Sequence, residues 1–139
     1  MLTKYLLDTN VISEIRKTDY CNPNVDIFIK SIKNSNLFLS SVIIGEIWYG
    51  IERMIESKKK QEYKMWYQQI TTEFKDNILT FDKNVAETWG FIRAKSDRTL
   101  SILDSQIGAT AMHYNLTLLT RNVKDFKSIE GLKIVNPWE

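Results

Sequence analysis

The chain has 139 residues and a formal net charge of +2, with 43% hydrophobic and 26% charged residues, which fits one domain over residues 1–139 and neither indicates nor excludes a nucleic-acid partner. A single cysteine, Cys21, and a single histidine, His113, exclude an internal disulfide and any metal centre built from several Cys or His side chains. The chain has neither an apolar stretch of the roughly 20 residues that span a bilayer nor a signal-peptide core, so we expect a cytoplasmic protein.

The pattern of apolar residues predicts alternating strands and helices. In chain order we predict a strand at 5–7, helices at 11–16 and from 22 to about 33, a strand at 37–39, helices at 41–55 and 62–74, a strand at 78–81, a helix that starts at 82, a helix at 102–114, a strand at 117–120, a turn at 122–126 and a strand at 133–135. Such alternation implies right-handed crossovers and therefore an α/β fold, a three-layer α/β/α sandwich with a parallel sheet of about five strands.

Asp8 follows the first strand within the sequence KYLLDTN. The carboxyl ends of the strands form the edge at which open α/β sheets bind ligands, so its position makes Asp8 a candidate functional acid. Alternatively, Asp8, Thr9 and Asn10 only cap the following helix with their side-chain oxygens. The local sequence does not separate these two interpretations.

Glu46 lies on the apolar side of the helix predicted at 41–55. Its neighbours one turn away are Val42, Ile43, Tyr49 and Gly50. Carboxylates rarely occupy such positions without a partner, because removing an ionised group from water is costly. We interpret Glu46 as a second functional acid; the alternative is an acid at the edge of the stripe that reaches solvent or pairs with a Lys or Arg.

Asp104 lies near the start of the helix at 102–114. It shares a helix face with Ile107, Gly108 and Ala111, none of which has a polar side chain. Capping is a strong alternative, since Asp is a preferred cap and the helix dipole favours an anion there. The small residues at 108 and 109 predict that the helix backbone approaches another element closely.

Asn122 and Asp125 follow the predicted fourth strand, at the sheet edge that also holds Asp8. Two ionised carboxylates about 5 Å apart repel by roughly 3 kcal/mol at an effective dielectric constant of 20. Either retained protons or a divalent cation would relieve that repulsion. With carboxylate ligands the ion would be Mg²⁺ or Mn²⁺, which activates water and stabilises charge on a phosphoryl oxygen. We therefore predict phosphodiester hydrolysis.

Four blocks of the sequence, YLLDTNVISE, SSVIIGEIWYGI, LDSQIGATAMHYNLTLLTRNVKDF and VNPWE, resemble the PIN-domain ribonucleases, specifically the VapC-type toxins of bacterial toxin–antitoxin systems. The likeness runs from Lys4 to Trp138. It implies a parallel sheet of about five strands, a Mg²⁺- or Mn²⁺-dependent endoribonuclease that acts on RNA, a homodimer, and inhibition by a cognate antitoxin whose tail fills the active groove. Contact with operator DNA would be indirect, through the antitoxin.

Carried over position by position, the resemblance implies that Asp8, Glu46 and Asp104 bind the metal and act in catalysis. The family's fourth acid often follows Thr-Arg directly, where this chain has Asn122. We expect Asp125 to serve as the fourth catalytic acid, binding the metal directly or through water. The residues expected to orient these acids or their waters are Thr9, Asn10, Thr120 and Asn122.

Several other polar and aromatic residues have two interpretations. We interpret His113 as a structural or surface imidazole rather than a general base. The lysine run 58–60, with Arg53 and Lys64, either follows an RNA backbone or is a solvated helix junction. The predicted phosphate contacts are Arg93, Lys95, Arg98, Arg121 and Lys124. The aromatic residues expected in core or dimer packing, rather than in base stacking, are Trp48, Tyr49, Trp66 and Trp89.

Two other function classes compete with a nuclease. A phospho-acceptor signalling domain would need an acid pair beside the first strand and a lysine after the fifth, whereas Thr9 follows Asp8 and Asn136 follows Val135. Its acceptor would be Asp82, which in PIN domains usually only caps a helix. A non-cleaving interaction protein that acts through an antitoxin or DNA-binding partner is the other class, and the missing fourth acid favours it.

Overall fold

A computed structural model of the protein describes residues 2–96 and 99–139, so Arg98 lies outside the described residues. The described elements are β1 (Tyr5–Leu7), α1 (Thr9–Ile15), α2 (Pro23–Lys30), β2 (Leu37–Ser40), α3 (Ser41–Glu52), α4 (Lys58–Glu73), β3 (Ile78–Leu79), α5 (Lys83–Lys95), α6 (Ile102–His113), β4 (Thr117–Leu119), α7 (Val123–Phe126) and β5 (Ile134–Val135). Single 3₁₀ turns occupy Thr18–Tyr20, Asn34–Asn36 and Lys75–Asn77.

The described strands form one five-stranded parallel sheet in the order β3-β2-β1-β4-β5. Successive residues of β1 and β4, such as Leu6 and Leu7 or Leu118 and Leu119, are all fully buried. Because neighbouring strand residues point to opposite faces, both faces of the sheet are covered by helices. The predicted α/β/α sandwich is confirmed. No described helix has both the length and the apolar character needed to cross a bilayer.

The predicted starts of α2, α3 and α5 are confirmed to within one residue. The side chains of Asn22, Ser40 and Asp82 accept hydrogen bonds from the first turns of these helices. The helix predicted at 62–74 starts earlier, at Lys58. The predicted helix at 41–55 instead ends at Glu52, and Ile55, which extended the apolar pattern, is 87% exposed. A cap is a local interaction that the sequence reveals, whereas the end of a helix depends on where burial stops.

The lysine run starts α4, and the interpretation as a solvated helix junction describes the exposed Lys58 and Lys59 but not Lys60, which is buried. Ser57 caps α4, so residues 58–60 form its first turn. Lys60 is only 7% exposed; its Nζ lies 2.9 Å from Glu56 Oε1 and donates to the Glu52 carbonyl at the end of α3 over 3.3 Å. The buried ammonium therefore joins the end of α3 to the start of α4.

The aromatic residues divide into a packed and an exposed pair. Trp66 and Trp89 pack against the core, as predicted, and the Trp89 indole donates to Ser105 Oγ over 2.8 Å. Trp48 and Tyr49 are 38% and 59% exposed, so they do not lie in the core, and packing in a dimer stays a prediction for them.

The close approach predicted at α6 is confirmed at Gly108. A Cβ atom there would lie 2.6 Å from Ile129 Cδ1, below any ordinary contact distance. Glycine therefore lets the segment after α7 lie against α6.

Glu14 is a buried acid that connects α1 to the start of α2. Its Oε1 accepts from Lys17 Nζ over 2.9 Å, and its Oε2 accepts from the Asn22 backbone amide over 2.8 Å. The bond from Lys17, followed by that from Asn22, holds the pKa of Glu14 below its usual value.

We expect Glu14→Gln to lower the free energy of unfolding by about 1–3 kcal/mol at pH 7, because a charge-assisted bond is lost and a buried amide is left poorly paired. Since the folded-state pKa is lowered, this stabilisation is present above the unfolded value near 4.5 and is lost as the pH falls through the folded value. Urea unfolding of both proteins at several pH values measures it. Asp26→Asn, which removes a surface ion pair with Lys30, should change stability little. Equal effects of the two substitutions would contradict the assignment.

Candidate active site

Asp8 lies at the carboxyl edge of the sheet because of the register between β1 and β4. Leu7 pairs with Leu119, and the Asp8 amide then donates to the Leu119 carbonyl over 3.0 Å. This places Asp8 beside Thr120, the first residue after β4, and leaves it only 6% exposed. The acid is therefore buried at the predicted edge of the sheet.

Three groups donate hydrogen bonds to the Asp8 carboxylate. The Thr120 hydroxyl donates to Oδ2 over 2.7 Å, the Thr9 amide donates to Oδ1 over 2.8 Å, and Asn10 Nδ2 reaches Oδ2 at 3.4 Å. The bond from the Thr9 amide caps α1, so the capping interpretation is correct for Asp8. It is wrong for the side chains of Thr9 and Asn10, which do not cap the helix. The cap does not exclude a second role for Asp8, because one carboxylate accepts several bonds.

Thr120 connects the residues that surround Asp8. Its Oγ1 accepts from the Asn122 amide at 3.0 Å and from Asn10 Nδ2 at 3.3 Å, while Asn10 Oδ1 accepts from the Arg121 amide at 3.2 Å. Asn10 and Thr120 thus lie where they can orient the acid. Asn122 is exposed and joins this network through its backbone.

Asp104 is half-buried in the first turn of α6 and does not cap that helix. Ser101 is the cap, since its Oγ accepts from the Asp104 amide over 3.0 Å. The capping alternative for Asp104 is therefore wrong. Its side chain remains available at the end of the helix where the dipole favours an anion.

Asp8, Asp104 and the exposed Asp125 of α7 act on one another electrostatically. Burial is the main cause that raises the pKa of Asp8 above its usual 3.8; the bonds from Thr120 and Thr9 oppose it, and the charges of Asp104 and Asp125 add to it. The pKa of Asp104 is raised too, first by burial and then by Asp125, against a hydrogen bond with Ser101. Three separate chain segments therefore bring acids to one rim.

Glu46 lies beside the buried stripe of α3 rather than on it. The buried residues of this helix are Ile43, Ile47 and Ile51, and Glu46 is half-exposed next to them. It lines a cavity of about 330 Å³ together with Thr9, the neighbour of Asp8. Of the two interpretations of Glu46, the acid at the edge of the stripe describes its position. The charges that raise the pKa of Asp8 are those of Asp104 and Asp125, not that of Glu46.

The donor set fits a hydrated divalent cation better than a fully protein-ligated one. Its oxygens are of the kind that Mg²⁺ and Mn²⁺ prefer. The Thr9 Oγ1 atom is buried and lacks a hydrogen-bond partner among the described residues, so a further oxygen beside Asp8 is unused. Across residues 2–96 and 99–139, no group of three or more Asp, Glu, His and Cys side chains is arranged so that it could hold a metal ion. Mg²⁺ needs only one or two carboxylates, because it keeps several waters.

The side chains of the other predicted residues are not among the groups that shift the pKa of Asp8 or Asp104. His113 is exposed, with Nδ1 3.3 Å from Thr88 Oγ1, as expected of a surface imidazole, and Asp82 caps α5. Three predicted phosphate contacts lie over aromatic rings: Arg93 over Trp89, Lys95 over Phe91, and Arg121 over Trp138. Lys124 is exposed in α7.

The sequence analysis missed Arg16, which lines the same cavity as Glu46. Thr9, Ser13 and Arg16 follow one another at intervals of four and three residues, so they share one face of α1. This spacing, which starts at the residue after Asp8, was the signal in the sequence that could have identified Arg16.

Comparisons with known proteins agree with this fold. Residues 5–132 match the sequence profile of the PIN domain. Toxin FitB of Neisseria gonorrhoeae is 31% identical over 96% of this chain and 97% of its own, and the VapC ribonuclease Y4jK of Sinorhizobium fredii is 28% identical over 96% and 97%. The structure of FitAB bound to an IR36 DNA fragment superimposes with a TM-score of 0.89 at 30% identity, covering 97% of this chain and 96% of that one. The resemblance stated from the sequence is confirmed, and the chain belongs to the PIN domain family.

Proposed function

We propose that the protein is a Mg²⁺- or Mn²⁺-dependent endoribonuclease toxin that hydrolyses phosphodiester bonds in RNA. The observation that carries this proposal is the common electrostatic field of Asp8, Asp104 and Asp125 at the carboxyl edge of the sheet. A bound cation would relieve the repulsion between these acids, as a retained proton also would. The ribonuclease named among its relatives supports RNA as the substrate.

In this proposal Asp8, Glu46, Asp104 and Asp125 hold the ion, one or two of them as direct ligands and the others through the waters that it keeps. When bound, the ion supplies activation of water and stabilisation of charge on a phosphoryl oxygen. Thr120 and Asn10 fix the Asp8 carboxylate through their hydrogen bonds. Thr9 offers its unpaired hydroxyl, and Asn122 anchors Thr120 through its backbone amide.

The partners follow from the family. We propose a cognate antitoxin that inhibits the enzyme, contact with operator DNA only through that antitoxin, and a cytoplasmic location. The DNA-bound FitAB structure supports a complex of this kind. We also propose a homodimer, for which the exposed Trp48 and Tyr49 are available surface. Light scattering of the purified chain tests the dimer.

Cleavage by the purified protein tests the proposal. We expect it to cut single-stranded RNA in the presence of Mn²⁺ or Mg²⁺, to stop after EDTA treatment, and to recover when the ion is restored. DNA of the same sequence is the matched substrate control. RNA that stays intact with either ion, together with no heat of Mg²⁺ binding at millimolar concentration, would instead favour a non-cleaving interaction protein.

A further inference from the structure

A groove with cationic and aromatic walls leaves the candidate active site beside Glu46. Its inner part is the cavity of about 330 Å³, which Thr9 and Glu46 border. Its outer part has a volume of about 340 Å³. The residues that line both parts are Arg16, Lys59, Tyr63 and Trp66. We call this the Arg16 groove.

We propose that the Arg16 groove binds single-stranded RNA on one side of the bond to be cut, with Arg16 and Lys59 contacting backbone phosphates. The inference rests on the proposed function, since it takes the scissile phosphate to lie at the acids. Each part of the groove has the volume of a small-ligand pocket, so the path offers room for nucleotides beyond that phosphate.

Arg16 is held in place without an ion-pair partner. Its guanidinium carbon lies 4.4 Å from the centre of the Tyr63 ring. In the described part of the chain, no carboxylate lies within ion-pair distance of it. Stacking on a ring occupies one flat face of the guanidinium, while its N–H donors lie in the plane and point outward. Arg16 therefore presents a free planar fork, the group that binds phosphate with two hydrogen bonds.

Lys59 is the member of the lysine run that borders the groove. It is exposed in the first turn of α4 and has no carboxylate partner within the described ranges. Lys60 is buried against Glu56, and Lys58 is not among the residues that line the groove. The structure thus separates three adjacent lysines by position, and only Lys59 has a free charge beside Arg16.

The aromatic walls suit bases. Tyr63 and Trp66 meet edge to face, with ring centres 6.4 Å apart, and both are half-buried. Bases stack on aromatic rings and on guanidinium planes without regard to sequence. Glu62 also borders the outer part of the groove, where its negative charge partly offsets the positive charges of Arg16 and Lys59. The unpaired cations, and the place of Thr9, the neighbour of Asp8, in the wall of the inner part, favour RNA over a protein segment as the occupant.

Binding of a labelled single-stranded RNA of about 12 nucleotides, followed by anisotropy in EDTA, tests the groove. We expect Arg16→Ala and Lys59→Ala each to weaken binding by about three- to tenfold at low salt, and to reduce the slope of log affinity against log salt by about 0.7. The matched controls are Arg53→Ala, which removes a similar pair with Tyr49 at 5.5 Å, and Lys58→Ala. Both controls should bind as the wild type does.

Cleavage assays separate this inference from the proposed function. With Mn²⁺ present, the two groove variants should raise KM for the longer RNA, leave kcat unchanged, and cut a dinucleotide as the wild type does. If the wild type cuts RNA but the groove variants bind as Arg53→Ala and Lys58→Ala do, the groove assignment is wrong and the nuclease remains. If the groove variants still bind RNA but no longer co-purify with a co-expressed partner protein, the groove is a protein-binding surface. If the groove variants lose RNA binding and the wild type cuts no RNA, the result would support the groove as an RNA-binding site and contradict the proposal that the protein is a nuclease.

Discussion

Asp8→Asn should abolish RNA cleavage while making the protein more stable. The substitution removes one of the charges that would hold the catalytic ion, and a loss of several kcal/mol of transition-state stabilisation lowers the rate by about 10³-fold or more. Stability should rise because Asp8 is 6% exposed and near the charges of Asp104 and Asp125. Asn is as good a helix cap as Asp, so α1 keeps its start. A gain of about 1 kcal/mol would raise Tm by roughly 2–4 °C.

The pH dependence of that gain has a definite sign. The folded-state pKa of Asp8 is raised, so the folded protein holds the proton more tightly than the unfolded chain does. The charged form therefore destabilises the wild type above the folded pKa, and the difference from Asp8→Asn should shrink as the pH falls toward 3.8. Calorimetry between neutral and acidic pH measures it.

Asp82→Asn is the control for Asp8→Asn, because it also changes a capping aspartate, at the start of α5. It should keep both the cap and the cleavage activity. The expectation fails if Asp8→Asn cleaves at the wild-type rate. It also fails if the variant loses activity because it unfolds at a lower temperature than the wild type.

A divalent cation should stabilise the folded protein strongly. At a concentration about 100 times its dissociation constant, an ion that binds only the folded state adds about 2.7 kcal/mol, which raises Tm by several degrees. The gain is expected because the ion relieves the repulsion between Asp8, Asp104 and Asp125. Thermal melts with Mn²⁺ or Mg²⁺, compared with NaCl of equal ionic strength, measure it.

Variants at the acids show which of them bind the ion. Asp104→Asn should remove most of the Tm increase, and Asp76→Asn, an exposed acid before β3, should keep it. Glu46→Gln is informative because Glu46 borders the adjacent cavity: a reduced increase supports it as a ligand, and an unchanged one restricts the ligands to the other acids. A wild-type Tm that does not respond to millimolar ion would contradict the metal proposal.

The parts of the site that sequence predicted are those set by topology. Asp8 and Thr120 lie at the carboxyl ends of parallel strands, so the strand assignment places both at the same edge of the sheet. Their direct contact also depends on the pairing of β1 with β4, which the sequence did not predict. The pairing of Asp8 with Asp104 needed the family resemblance, because α6 packs back across the sheet by tertiary contacts that local patterns do not reveal. That Asp125 lies near Asp8 was expected from its place after the fourth strand, and the resemblance added its role as a substitute for the acid missing at Asn122.

What the sequence did not predict depends on tertiary burial. The three lysines at 58–60 are identical in type but differ in environment: Lys60 is buried, Lys59 borders the Arg16 groove, and Lys58 is exposed away from it. Composition cannot distinguish them, because their environments are decided by how α4 packs on α3. Glu46 shows the same limit: the stripe was identified correctly, but a shift of a fraction of a turn separates a buried acid from one at the cavity wall.

The parallel pairing of β1 with β4 has a consequence for biosynthesis. β1 is translated before its partner at Thr117–Leu119 and before the acids at positions 104 and 125. A nascent chain that has not yet released these later segments therefore holds Asp8 without the neighbours that complete the acidic rim. If the protein cuts RNA, the ribosome and message that produce it are exposed to the activity only after the segments through Asp125 have emerged and folded.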